Sequence, residues 1–148
     1  MPLYFAYGSN MDADAMARRC PRARLLGPAR LARWRFALMP SGYATIVPDP
    51  RMNVHGALWD VAVADMAALD RYEQLAQGLY VKRSIPALRP PAGAVQALVY
   101  IGAQPTVGAA PRGNLDEIIE AAQGLALPAT YLAFLMTLAA VQKKGPSS

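Results

Sequence analysis

The chain has one cysteine, Cys20, and one histidine, His55. A lone cysteine cannot close an internal disulfide, and such usage fits a reducing, cytoplasmic setting. A metal centre needs several His, Cys or carboxylate ligands at suitable spacing, and no such cluster stands here. A Ser-His-Asp triad would have to join His55 to Ser9, Ser41 or Ser84. None of these serines sits in a Gly-x-Ser-x-Gly elbow. Gly-x-Gly-x-x-Gly and P-loop patterns are missing, so no nucleotide cofactor is expected. No run of about twenty apolar residues occurs, which argues against a membrane-spanning helix. Met1-Pro2-Leu3-Tyr4 lacks a basic segment followed by an apolar core, so it does not read as a signal peptide. The expectation is a cytoplasmic protein with no metal, no cofactor and no membrane partner.

Apolar residues make up 54% of the 148, enough for a sizeable core. Residues 1–142 are expected to form a single domain, and 143–148 a flexible tail. A homodimer is left open. The net charge of +5 rests on arginine, with only three lysines, so its placement matters more than its size. Arg18, Arg19, Arg22, Arg24, Arg30, Arg33 and Arg35 are crowded together. Basic clusters can mark nucleic-acid contacts. The later arginines alternate with apolar residues, as on a half-exposed strand, which favours a solvated basic face over nucleic acid. Attraction of anionic substrates is a third use. Cys20 lies in this segment without a reactive-thiol motif and reads as an incidental thiol.

Leu3 to Tyr7 reads as a strand. Asp12 can cap a short helix over Ala13–Arg19, closed by Cys20-Pro21. Arg24 to Met39 is extended. Ala44–Val47 is a strand that should stop at Pro48-Asp49-Pro50, with another strand over Val54–Val61. Ala62–Ala76 reads as a helix ended by Gly78. Strands over Leu79–Ile85 and Val95–Ile101 flank a hairpin-like loop at Pro90–Gly93. A loop through Gln104–Arg112 precedes helices at Asn114–Gln123 and Pro128–Val141. Strands separated mostly by turns, with helices placed late, predict an α+β fold. About six strands would suit a small closed or nearly closed sheet with helices packed outside.

Two places carry chemistry. In Tyr7-Gly8-Ser9-Asn10 the strand ends in a turn whose main-chain N–H groups can form an anion-binding nest, with Gly8 permitting the turn. An ordinary Gly-Ser-Asn turn explains the same residues. The second place is the helix Ala62–Ala76, where Ala62, Met66, Leu69 and Glu73 share one face. Glu73 is then a carboxylate on an apolar stripe. Desolvation there would raise its pKa toward the range useful for proton transfer. The other reading has Glu73 in solvent or paired with Arg71, Lys82 or Arg83. Asp70 flanks the same face as a candidate partner for a loop amide.

Tyr4-Phe5-Ala6-Tyr7-Gly8-Ser9-Asn10-Met11, followed by Leu69-Asp70-Arg71-Tyr72-Glu73 and Gly78-Leu79-Tyr80, resembles the γ-glutamylcyclotransferase family. A later stretch, Ala121 to Tyr131, is similar to the family's Gly-Leu-Pro and Tyr segment, with Ala126-Leu127 placed before Pro128. The resemblance implies a small mixed β-barrel flanked by helices. It implies intramolecular aminolysis of a γ-glutamyl amide, giving 5-oxoproline and a free amine or amino acid. The partner is then a small acidic γ-glutamyl substrate. Carried over by position, Glu73 is the catalytic acid/base. Tyr4, Phe5, Ala6, Tyr7, Gly8, Ser9 and Asn10 form the substrate loop, and Tyr131 donates a hydrogen bond at the pocket. Asn10 favours the plain cyclotransferase branch. The alternatives are an inactive small-molecule-binding protein on the same scaffold and a cyclotransferase dedicated to a γ-glutamylated biosynthetic intermediate.

Overall fold

The computed structural model describes residues 2–39, 43–73, 75–76, 78–103 and 115–144, without the side chains of 141–144. Five strands, β1 (Leu3–Ala6), β2 (Arg24–Leu38), β3 (Ala44–Asp60), β4 (Tyr80–Arg89) and β5 (Gly93–Gly102), close into a barrel in the order β1-β3-β2-β4-β5. β1 runs antiparallel to β3 and parallel to β5, with Tyr4 beside Leu98. Closure leaves the sheet without a free edge. The helices are α1 (Ala13–Arg19), α2 (Met66–Tyr72), α3 (Leu115–Gly124) and α4 (Ala129–Lys144). The expected mixed barrel with helices around it is what the chain forms.

The core follows from the alternation of the strands. Phe5, Leu31, Phe36, Ile46 and Leu58 are fully buried. From outside, α3 adds Leu115 and Ile118, and α4 adds Leu135. α1 begins as its sequence dictates: the Asp12 carboxylate accepts the Ala15 N–H at 3.0 Å, and the Cys20 N–H closes the last turn on the Met16 carbonyl at 2.7 Å.

Three expectations are corrected. The strand thought to stop at Pro48 is continuous with the next, as β3. Pairing passes from Ala32↔Asn53 to Trp34↔Pro48, so residues 49–52 face Arg33 alone. Arg33 takes a positive φ of 71° at this bulge. Pro50 falls where no ladder bond is required, and a bulge is where a strand tolerates proline. The helix expected over Ala62–Ala76 is much shorter. Ala62 stays extended, residues 63–65 make a tight turn, and α2 stops at Tyr72. At its start the Asp65 side chain is turned away from capping and accepts the Arg22 N–H at 3.3 Å instead. At its end the Leu75 N–H reaches back five residues to Asp70 at 3.0 Å, which breaks the helical ladder. Third, α4 runs to Lys144, two residues into the stretch expected as tail. The loop Gln104–Arg112, together with Asn114 and residues 145–148, lies outside the described residues.

Three of the seven clustered arginines meet acids on neighbouring elements. Arg24 meets Asp60 at 2.9 Å, Arg35 meets Asp49 at 3.1 Å, and Arg22 meets Asp65 at 3.4 Å. With the arginines exposed, such pairs add little stability, and at Asp60 only one of the two carboxylate oxygens is bonded.

The end of β1 is fixed by close approach to β3. A Cβ on Gly56 would stand 2.2 Å from the Ala6 carbonyl oxygen and 2.9 Å from the Phe5 ring. Only glycine fits, because the obstacle is backbone. Gly56→Ala is therefore expected to cost about 1–3 kcal/mol. A urea unfolding midpoint equal to that of the parent chain would contradict this packing.

Candidate active site

Where β1 leaves the barrel, Tyr7 and Gly8 lead into a single 3-10 turn over Ser9–Met11. The Met11 N–H donates to the Gly8 carbonyl at 3.0 Å and the Asp12 N–H to Ser9 at 3.1 Å. The Ser9 and Asn10 amides precede the first bond of this turn and so have no acceptor within it. Gly8 is not in the left-handed region, since its φ is −118°. A Cβ there would meet only Ala44 at an ordinary 3.8 Å. Backbone freedom at Gly8 is thus not what makes the turn.

The turn forms one wall of a cavity of about 210 Å³. Tyr4 and Phe5 of β1 and Tyr7 just after it line the cavity, and Tyr72 with Glu73 line it from the end of α2. Tyr80, Tyr100 and Ile118 complete the surround. Three tyrosine hydroxyls give their protons to the framework. Tyr7 donates to the Tyr100 carbonyl at 2.5 Å, and Tyr80 to the Ala44 carbonyl at 2.5 Å. Tyr100 donates to the Asp70 carboxylate at 2.5 Å. Tyr4 accepts the Asn10 side-chain N–H at 3.1 Å. Burial raises the pKa of Tyr4, Tyr7, Tyr80 and Tyr100, and the nearby Glu73 charge adds to it. These four phenols remain neutral near pH 7.

Glu73 differs from every other carboxylate near it. It sits where α2 ends, its N–H bonded to the Leu69 carbonyl at 2.9 Å, and its side chain is half-buried. Burial pushes its carboxyl up to about 7, and the Arg19 charge holds it back in part. Among the described residues its carboxylate has neither a hydrogen bond nor an ion pair. The cations considered as partners are placed otherwise. Lys82 meets Asp70 at 3.0 Å, Arg83 lies over the Trp34 ring at 5.8 Å, and Arg71 is exposed. Asp70 itself is held by Lys82 and Tyr100 rather than by a loop amide.

Asn10 is buried with its side-chain amide and its main-chain carbonyl engaged. Its side-chain N–H₂ meets Tyr4, its side-chain oxygen accepts from Arg19, and its carbonyl accepts the Trp59 indole N–H at 3.0 Å. It shapes the loop rather than offering a free side chain. Ser9 shares a hydrogen bond with the Tyr72 hydroxyl at 2.7 Å.

Two expected site residues are not brought here. Ala6 is buried, with its carbonyl against Gly56. Tyr131 is on the first turn of α4 and packs on His55 of β3, ring centroids 4.9 Å apart. Among the described residues its buried hydroxyl lies by the His55 backbone without a hydrogen bond of full geometry. The cause is the turn before α4: Ala126 takes a positive φ of 55°, and its N–H closes on Gln123. Sequence reasoning missed Arg19, Tyr72 and Tyr100 as site residues. Tyr72 adjoins Glu73 and could have been found there. Arg19 was hidden in a basic cluster until α1 folded back on the loop.

Among the described residues no group of three or more His, Cys, Asp or Glu could hold a metal ion. No helix there is long and apolar enough to cross a membrane.

The sequence profile of the family described as Gamma-glutamyl cyclotransferase, AIG2-like, matches residues 4–120. The Gamma-glutamylcyclotransferase of Bos taurus is 32% identical over 89 residues, covering 53% of this chain and 47% of that protein. That of Homo sapiens is 33% identical over the same length and coverage. The matched region spans about half the length of these relatives. A solved structure named Gamma-glutamyl cyclotransferase superposes with a TM-score of 0.83 at 23% identity, covering 97% of this chain and 99% of that one, which supports the fold.

A carboxyl raised from 4.5 to about 7 on folding binds a proton more readily in the folded chain than in the unfolded one. The contribution of Glu73 to stability is then fully present below 4.5 and is lost as pH rises through about 7, by at most about 3 kcal/mol. Glu73→Gln removes this loss, so the variant is expected to be more stable than the parent at pH 8.5 and to lose that advantage at pH 4. Denaturant unfolding at the two pH values measures it. An equal difference at both would show that Glu73 is not shifted.

Proposed function

The chain belongs to the Gamma-glutamyl cyclotransferase, AIG2-like family, and from that premise we propose that it converts a γ-glutamyl amino acid or amine into 5-oxoproline and the free amine. The observation that carries this reading is the unpaired, half-buried Glu73 in a cavity walled by the Ser9–Asn10 turn. A carboxyl with a pKa near the working pH both accepts and returns a proton efficiently.

The substrate supplies its own nucleophile. Its α-ammonium gives a proton to the Glu73 carboxylate, and the freed nitrogen attacks the γ-carbonyl carbon. A tetrahedral centre forms with negative charge on the former carbonyl oxygen. Protonated Glu73 then delivers its proton to the leaving nitrogen as the old C–N bond breaks. The ring nitrogen, left with two hydrogens by its attack, gives its second proton to the departing amine, which leaves as an ammonium. The five-membered lactam and the amine are the products, and Glu73 is again ionised.

The Ser9 and Asn10 amides suit the negative groups of this reaction, the developing oxyanion and the substrate carboxylate. Holding the substrate folded, with nitrogen near carbonyl, can be worth up to about 7–11 kcal/mol. The small, tyrosine-walled cavity is a means to that end. With Tyr7, Tyr80 and Tyr100 donating to the framework, Glu73 is the group suited to accept and return the proton.

Purified protein offered a panel of γ-glutamyl amino acids and amines should release 5-oxoproline. Glu73→Gln is expected to lower turnover by about 10²–10⁴ while substrate still binds. A variant with near-parental release would remove Glu73 from the mechanism. Binding of 5-oxoproline without turnover of any panel member would favour an inactive binding protein.

The pH profile provides a second test. Because Glu73 must be ionised to take the first proton, kcat/KM is expected to rise with pH and to level off above about 7. A profile flat from pH 5 to 8 would contradict this.

A further inference from the structure

Among the basic residues left without a role, Arg19 is placed differently from the rest. The side chain of Arg19, at the last position of α1, donates to the side-chain oxygen of Asn10. The flat face of the same guanidinium covers the Tyr72 ring, 3.6 Å from its centroid. Tyr72 in turn shares the 2.7 Å hydrogen bond with Ser9. One planar cation therefore grips both sides of the site: the turn after β1, and the end of α2 that bears Glu73. Ser9 and Tyr72 also line the groove between α1 and α3, where Arg19 lies. The clamp thus forms the wall between that groove and the Glu73 cavity.

We propose that Arg19 is the positioning residue of this site: its edge holds Asn10, its face holds Tyr72, and together they fix the Ser9–Asn10 turn against Glu73. The assignment rests on the reading of Glu73 as the proton-transfer group. Lysine cannot replace arginine in this role, because a point charge on a flexible stem has no face to stack and no fork to bond.

The charge of Arg19 has a second effect. Facing Glu73 are Tyr4 of β1, Tyr7 just after it, Tyr72 of α2, Tyr80 of β4, Tyr100 of β5, Tyr43 before β3 and the apolar Ile118 of α3. Asp70, one turn back, is paired with Lys82. Arg19 is the cation that acts on Glu73 among these groups, and it favours the ionised carboxylate. Losing the charge should move Glu73 to a still higher pKa.

Two substitutions in the full chain separate shape from charge. Arg19→Gln keeps an N–H donor for Asn10 and removes the charge. Arg19→Lys keeps the charge and removes the planar stack. Folding of each is checked by circular dichroism. The Glu73 carboxyl carbon is followed by NMR through a pH titration, its signal identified by its loss in Glu73→Gln. The midpoint, about 7 in the parent, is expected to rise in Arg19→Gln and to stay near 7 in Arg19→Lys. Steady-state release of 5-oxoproline from Arg19→Lys should fall by about tenfold to a hundredfold in kcat/KM, from misplacement of the loop.

A folded Arg19→Gln with an unmoved midpoint would overturn the electrostatic part. Arg19→Lys with parental kcat and KM would overturn the positioning role, and it decides alone if Arg19→Gln does not fold. Absence of 5-oxoproline from the parent chain would instead overturn the proposed reaction. The NMR titration needs no turnover, so the two failures are distinguishable.

Discussion

The site depends on the burial of Asn10. Burying an asparagine is costly unless its polar groups are satisfied, and here its side-chain amide and main-chain carbonyl are held from three different elements. Tyr4 comes from β1, Arg19 from α1 and Trp59 from β3. The short segment after β1 therefore has one place to go. It cannot drift from the barrel without leaving a phenol, a guanidinium and an indole N–H without the partner each has here. The loop is positioned by polar satisfaction, whereas the barrel beneath it is positioned by apolar packing.

Glu73 shows the opposite treatment. Asp49, Asp60, Asp65 and Asp70 each have an arginine or lysine within ion-pair reach. Glu73 has none among the described residues, although arginine is the commonest charged residue of the chain. Leaving a half-buried carboxylate unpaired weakens the fold, and a chain shaped by stability alone would pair or replace it. Local loss of stability of this kind is concentrated where a group must react, because pairing would lower its pKa and remove its basicity. Arg19 acts on it as a nearby charge, not as a salt-bridge partner, and so tempers the shift without cancelling it.

The parts of this arrangement that were legible in the sequence are those governed by local rules. Asp12 announces the start of α1 because an aspartate before a helix satisfies an orphan amide wherever it occurs. Glu73 could be placed on the apolar side because Leu69 lies four residues before it. That inference survived although the helix itself proved half the expected length, since both residues lie within or at the end of α2. The failures were all tertiary. Pro48 and Pro50 should have ended a strand, but Pro50 falls in a bulge opposite Arg33, a place without ladder bonds, and Pro48 stands at its edge opposite Trp34. Tyr131 matched a segment by order along the chain, but the turn at Ala126 sets α4 so that its first residues face His55. Arg19 and Tyr100 had no local signature, because each gains its role from a partner at least nine residues away.

The commitment of the tyrosines bears on what the cavity can do. Six of the seven tyrosines of the chain line it, which at first suggests several proton donors. Yet Tyr7 and Tyr80 give their protons to backbone carbonyls, and Tyr100 gives its proton to Asp70. Recruiting any of them to a substrate would leave a buried carbonyl or carboxylate without its donor. Burial has also raised the phenols Tyr4, Tyr7, Tyr80 and Tyr100, so none of these can serve as a base. Their use is to make a rigid wall with an apolar face, against which a small substrate must fold. A reaction suited to such a cavity is one in which the ligand brings its own nucleophile and requires from the protein a shape, a few amides and one movable proton. Ring closure of a γ-glutamyl amide has those requirements, and that chemical economy is why one carboxylate suffices.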